Sequence, residues 1–186
     1  DIARMDLPCL CSIDRAGIVG EDGPTHHGVF DVSILSPIPN IVLFAPKDAR
    51  ELRQFVNTAF HNFNKPYFIR IPRGSIIKVD YNNQLELGTW TIESCKDDYK
   101  MTLICYGDNV EKIKTIIKSK HLNIRIINAR FIKPIDEDMV HKIFTENNHS
   151  NIRTLIFSLT KYFLLATLLP VYEVSQGFPL QYSSLT

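Results

Sequence analysis

Apolar residues along this chain alternate between short blocks and longer stretches in which they recur every third or fourth position. Leu7 to Ile13 is a short, mostly apolar block ended by Asp14-Arg15, which predicts a buried parallel strand. Ile41 to Ala45 predicts a second strand, stopped by Pro46. Asp48 is placed to cap a helix, with Glu51 three residues on in a capping-box arrangement. Leu52, Phe55, Val56, Ala59 and Phe60 then supply one apolar helix face. After Pro66, Tyr67 to Ile71 predicts a third strand, closed by Pro72-Arg73-Gly74. Strand, helix and strand in this order predict a right-handed βαβ unit.

Asn82 to Lys100 is more polar, with an Asn-Asn pair, an isolated Gly88 and an Asp-Asp pair, so an inter-domain connection is expected at its start. The alternation then resumes. Met101 to Tyr106 predicts a strand, and Val110, Ile113, Ile116 and Ile117 mark a helix face. Ile124 to Asn128 predicts a strand, Asp136 caps a helix running to about Phe144, and Leu155 to Leu159 predicts a further strand. The apolar run Leu155 to Tyr172 includes Lys161 and Pro170 and is short for a membrane span, so a buried strand followed by a helix is expected there. The fold class expected is α/β, in two pieces: residues 1–81 and 82–186, each with a mostly parallel sheet.

Composition narrows this only a little. The chain has 186 residues, 45% hydrophobic and 22% charged, the balance of a globular protein. Lys and Arg (21) nearly match Asp and Glu (20), which leaves no basic field for nucleic acid. Cys9, Cys11, Cys95 and Cys105 form no C-x-x-C pair, and Cys9 and Cys11 share one face of the first strand. Reduced, buried thiols are expected, which favours a reducing compartment. Asp1-Ile2-Ala3-Arg4 carries no basic and apolar leader, so no targeting peptide is read there. His61, His121, His141 and His149 are expected at the surface.

The chemistry concentrates in one loop. Asp14 to Asp31 follows the first predicted strand, at the carboxyl end where open α/β sheets place their ligands. Its glycines allow positive φ and close approach to a ligand. Asp22 and His26 bracket a Gly-Pro turn, and a histidine beside an acid can exchange a proton near neutral pH. Arg15 adds a forked cation suited to phosphate. From residue types alone, a purely structural turn remains the competing reading. Metal binding by Asp22, His26 and His27 is a lesser alternative, since no helical H-x-x-x-H spacing supports it.

The string Gly20-Glu21-Asp22-Gly23-Pro24-Thr25-His26 is similar to the signature loop of transketolase-like enzymes. The start Asp14-Arg15-Ala16-Gly17 resembles the 1-deoxy-D-xylulose-5-phosphate synthase family within that group, where transketolase itself has His-Asp-Ser. Phe30-Asp31-Val32-Ser33, Ile38-Pro39-Asn40, Ala45-Pro46-Lys47-Asp48 and Ile71-Pro72-Arg73-Gly74 carry the same resemblance. In the second half, Arg130-Phe131-Ile132-Lys133-Pro134-Ile135-Asp136 looks like the family's RFxKPxD segment. The resemblance spans about residues 1 to 146. Beyond about Asn147 the family's Glu-Glu strand end and Gly-Gly turn are missing.

The resemblance implies the later part of a pyrimidine-binding domain over 1–81 and a Rossmann-like transketolase C-terminal domain over 82–186. It implies a homodimeric enzyme that uses thiamine diphosphate and magnesium to condense pyruvate with D-glyceraldehyde 3-phosphate, releasing carbon dioxide. The product serves isoprenoid precursors and, in some lineages, thiamine and pyridoxal. Carried over by position, His26 serves the aldehyde oxygen or the cofactor-bound intermediate, and Asp22 binds the acceptor's hydroxyl. Arg15 and Arg73 hold its phosphate, while Arg130 and Lys133 are expected to pack or join domains. The family's magnesium and diphosphate segment, its activating glutamate and its ring-stacking aromatic lie upstream of these residues, so this chain alone is expected to be inactive. A bacterial cytoplasm or plastid-type organelle is the expected location. The alternatives are another transketolase-like enzyme, or a non-catalytic domain of the same fold.

Overall fold

The computed structural model describes residues 1–74, 84–94, 99, 101–150 and 153–156. The first apolar block forms β1 (Cys9–Asp14), and a short helix α1 (Asp31–Leu35) follows the loop. Then come β2 (Val42–Phe44), α2 (Ala49–His61) and β3 (Pro66–Ile71). The second half gives β4 (Thr91–Ser94), β5 (Met101–Cys105), α3 (Asn109–Ser119) and β6 (Arg125–Asn128). It continues through β7 (Phe131–Lys133), α4 (Glu137–Ser150) and β8 (Arg153–Ile156). Most of the predicted run after Leu155 lies outside the described residues, and none of the described helices is long and apolar enough to cross a membrane.

Two four-stranded sheets result. The first runs β1-β3-β2-β7 and the second β4-β6-β5-β8. Within each, three strands are parallel and one border strand, β7 or β4, is antiparallel. Neither antiparallel strand is evident in the hydrophobic pattern. Thr91–Ser94 has a single apolar residue inside a polar stretch, and Phe131–Lys133 is only three residues long. β7 follows β6 in sequence yet completes the first sheet, because Phe131 belongs to that sheet's core. Its ring meets Phe44 edge-on at 4.8 Å, and Phe44 stacks on Phe55 of α2 at 4.1 Å. Trp90 packs against this core and against the smaller cluster of Ile104, Ile127, Ala129 and Ile143.

The helix faces follow the periodicity with two corrections. In α2, Phe55 and Ala59 are buried and Leu52 and Val56 pack beside them, but Phe60 is 63% exposed. Phe60 lies at the rim of the stripe in the last turn, and stacks on Phe63 at 6.0 Å instead. In α3, Val110 and Ile117 are buried with Ile113 alongside, whereas Ile116 is exposed. Adjacent helical residues are about 100° apart, so Ile116 points away when Ile117 faces inward.

The caps hold the two halves together. Asp48 accepts a hydrogen bond from Glu51 N at 2.8 Å, as predicted. The return bond of the capping box is different: Glu51 Oε2 accepts from Lys47 N at 2.9 Å, not from Asp48. Its other oxygen, Oε1, accepts from Asn128 Nδ2 at 2.8 Å and lies 3.6 Å from Arg130 Nη1. Lys47 Nζ reaches Glu51 at 3.2 Å and Glu93 at 2.7 Å. Asp136 caps α4 through Met139 N at 2.8 Å and also accepts from Trp90 N at 2.7 Å. Arg130 donates to Thr89 O at 2.8 Å, and Lys133 donates to the carbonyls of Ser36 and Ile38. Both residues therefore pack, as their sequence reading expected.

This buried network has a definite pH window. Burial alone would push Glu93 up, but hydrogen bonds from Lys47 and Thr91 hold it below the ordinary carboxylate range. Burial alone would pull Lys47 down, and the Glu51 and Glu93 carboxylates hold it above its ordinary value. Glu93 then stabilises the fold fully above the usual carboxylate pKa and loses that contribution as pH falls through its lowered value. Lys47 does the reverse, losing its contribution as pH rises through its raised value. Thermal unfolding is expected to show a neutral plateau that falls at both ends. Glu93→Gln is expected to flatten the acid limb; an unchanged acid limb would show that Glu93 is not its source.

Candidate active site

Parallel pairing of β1 with β3 sets Asp14 opposite Ile71, so Arg15 and Arg73 leave the same sheet end side by side. Ala16 N extends that pairing by one bond to Ile71 O, at 3.0 Å. The chain then turns, with Arg15 at φ 62° and Gly17 at φ 89°. Gly17 N donates to Gly28 O at 2.9 Å, and Gly28 N lies 2.9 Å from Gly17 O and 3.0 Å from Arg15 O. These bonds tie both ends of the loop together. A Cβ on residue 28 would sit 2.5 Å from the Arg15 carbonyl oxygen, so the clasp requires glycine.

Inside the clasp are two single 3₁₀ turns, Gly20–Asp22 and Pro24–His26, joined by Gly23 at φ 82°. His26 Nδ1 lies 2.9 Å from Asp22 O and 3.1 Å from Thr25 Oγ1. A carbonyl only accepts, so Nδ1 carries a proton and Nε2 is the ring nitrogen left for a reacting group. His27 has the opposite assignment: its Nδ1 accepts from Val19 N at 3.0 Å. His27 is thereby a loop fastener, and among the described residues no three His, Cys, Asp or Glu side chains are grouped to hold a metal ion.

The Asp22 carboxylate lies between both arginines. Oδ1 accepts from Arg73 Nη1, and Oδ2 lies 3.2 Å from Arg15 Nε. Arg73 Nη2 also lies 3.2 Å from Glu21 Oε2. The Arg73 hydrogen bond, aided by the Arg73, Arg15 and His26 charges against partial desolvation, holds Asp22 below the ordinary carboxylate range. Both arginine side chains are nearly half exposed, so each can still present N–H donors to an anion. All four residues singled out in the sequence thus lie on one loop and the strand end beside it.

The structure adds a pair that the sequence reading missed. Arg70 is buried and donates to both oxygens of Asp31, at 2.5 and 3.1 Å, and to Gly28 O at 3.3 Å. Its guanidinium also lies over the Tyr106 ring, 5.5 Å from the centroid. Arg70 therefore joins the loop's closing glycine and the start of α1 to the sheet. The available signal was a lone cation inside the apolar run Pro66–Ile71.

A mostly parallel α/β sheet carries a clasped, glycine-rich loop of Arg, Asp and His at its carboxyl end, the place where such sheets bind ligands. Residues 1–78 match the transketolase pyrimidine binding domain. Over a longer stretch the chain is similar to 1-deoxy-D-xylulose-5-phosphate synthases. That of Bacillus velezensis is 40% identical over 152 residues, 78% of this chain and 24% of the relative. That of Clostridium tetani is 41% identical over 150 residues, again 78% and 24%. The chain thus spans about a quarter of the length of these relatives. Among solved structures, a transketolase mutant from Pichia stipitis aligns at a TM-score of 0.61 and 15% identity, covering 86% of this chain and 24% of that one. A split-gene transketolase described as an inactive beta4 tetramer gives 0.60 and 21%, covering 79% and 46%. Both share the fold, which is α/β with mostly parallel sheets as expected.

Proposed function

We propose that this chain is the acceptor-facing part of a 1-deoxy-D-xylulose-5-phosphate synthase, with residues 1–81 in its pyrimidine-binding domain and 82–186 in its C-terminal domain. The observation that carries the reading is the convergence of Arg15, Asp22, His26 and Arg73 at one sheet end, in a segment similar to those synthases. The reaction condenses pyruvate with glyceraldehyde 3-phosphate and releases carbon dioxide. Thiamine diphosphate, held with magnesium, supplies the carbanion chemistry. Among the described residues no three His, Cys, Asp or Glu side chains are grouped to hold a metal ion, and in this reading other parts of the enzyme make the magnesium and diphosphate contacts. Arg15 and Arg73 grip the acceptor's phosphate, moving part of their charge from Asp22 and Glu21 to the anion. Asp22 takes the acceptor's hydroxyl, and His26 Nε2 holds or moves a proton at the aldehyde oxygen. A homodimer in a bacterial cytoplasm or plastid-type organelle, feeding isoprenoid synthesis, goes with this reading.

The test is to assay the longer protein that carries this chain with pyruvate, glyceraldehyde 3-phosphate, thiamine diphosphate and magnesium. Formation of 1-deoxy-D-xylulose 5-phosphate is expected, and no product from intact protein would overturn the proposal. In the same protein, Arg73→Ala is expected to raise KM for the phosphorylated aldehyde roughly tenfold or more, as loss of a charge-assisted contact should, with little change for pyruvate. Equal effects on both substrates would remove Arg73 from the phosphate site.

A further inference from the structure

Two cysteines on β1 take no part in the site described. Cys9 and Cys11 are half-buried, and their Sγ atoms lie 3.7 Å apart on one face of the strand. Leu10, between them, turns the other way into the core with Phe44 and Phe55. β1 is the border strand of its sheet among the described residues. Two metal–sulfur bonds of about 2.3 Å, meeting at a tetrahedral angle, separate their sulfurs by about 3.7–3.8 Å. The thiols already stand at that bite.

We propose that Cys9 and Cys11 form a two-thiolate chelate for a soft tetrahedral cation of the zinc and cadmium class. Thiolate pairs select such ions over hard cations like magnesium. On binding, each thiol gives its proton to the buffer, two metal–sulfur bonds form, and the aqua ion, six-coordinate in water, loses four waters as it becomes tetrahedral. Water or buffer keeps the remaining two positions. Without the ion, burial and then the hydrogen bond shared with Cys11 raise the Cys9 thiol above its ordinary value. A disulfide suits the pair less well. Residues two apart on a strand are about 6.4–6.8 Å apart along it, at the far limit of disulfide Cα spacing. The chelate needs no backbone movement. Cys105 offers no such site, being buried, with its thiol pushed up to about 12 by desolvation.

The test is cadmium titration of the chain in a Cys95→Ala, Cys105→Ala background, followed by the sulfur-to-cadmium charge-transfer band. One ion per chain and two protons released per ion are expected. Cys9→Ser and Cys11→Ser should each weaken binding tenfold or more and abolish most of the band. A band unchanged by either serine variant, or lost in the alanine background, would overturn the proposal. Should the serine variants lose their circular dichroism, zinc X-ray absorption on the background chain decides: two sulfur neighbours at about 2.3 Å support the chelate, and only nitrogen or oxygen neighbours sink it. The result is independent of the synthase assay.

Discussion

Replacing Glu51 by alanine is expected to lower the unfolding free energy by about 3–5 kcal/mol, the cost of removing one partner from a buried ion pair. That approaches the whole stability of a small domain, about 5–15 kcal/mol. Glu51 is 3% exposed and serves Lys47 twice, through its backbone N–H and its ammonium, as well as Asn128. Removing the carboxylate leaves Asn128 Nδ2 and Lys47 N buried without an acceptor, and reduces Arg130's compensation. Glu93 still pairs with Lys47, so the lysine is not wholly abandoned. The loss falls at a joint between sheets, since Lys47 and Glu51 follow β2 while Asn128 ends β6. Glu51→Gln keeps an acceptor and is expected to cost less. Urea titrations at constant slope measure both. A shift below about 1 kcal/mol for Glu51→Ala would put the pair in the surface class and end this reading.

The same residue shows what could be read from the sequence and what could not. A carboxylate three residues after a capping aspartate was legible, because both ends of that interaction lie in one helical turn. Its partner Asn128 is 77 positions away, and no local pattern joins them. Likewise the parallel strands stood out as apolar blocks, while β4 and β7 did not, since short border strands need little apolar surface. Arg15, Asp22 and His26 in the loop and Arg73 after β3 stand out as candidates by type and motif, and the structure brings them to one sheet end. The pairing of Asp22 with Arg73, 51 positions apart, depends on the β1–β3 register, which no single segment specifies. Arg70 was passed over for a related reason: a charge within an apolar strand signals a buried partner but does not name Asp31.

His26→Ala in the longer protein is expected to cut kcat by roughly a hundredfold or more, the loss of a positioned proton-transfer group. A hundredfold corresponds to about 2.7 kcal/mol of barrier. The geometry makes the prediction specific. Nδ1 is committed to the Asp22 carbonyl at 2.9 Å, which leaves Nε2 as the ring nitrogen that the proposed reaction would use. If His26 acts only in the transition state, kcat and kcat/KM should fall together, with KM little changed. The neighbouring histidine is the control. His27 spends its Nδ1 on Val19 N, so His27→Ala should cost about 1 kcal/mol of stability for one lost hydrogen bond and far less turnover. Near-normal turnover in His26→Ala would remove it from the chemistry. Equal losses in both variants would mean that the loop's shape, and not the His26 proton, is what the reaction needs.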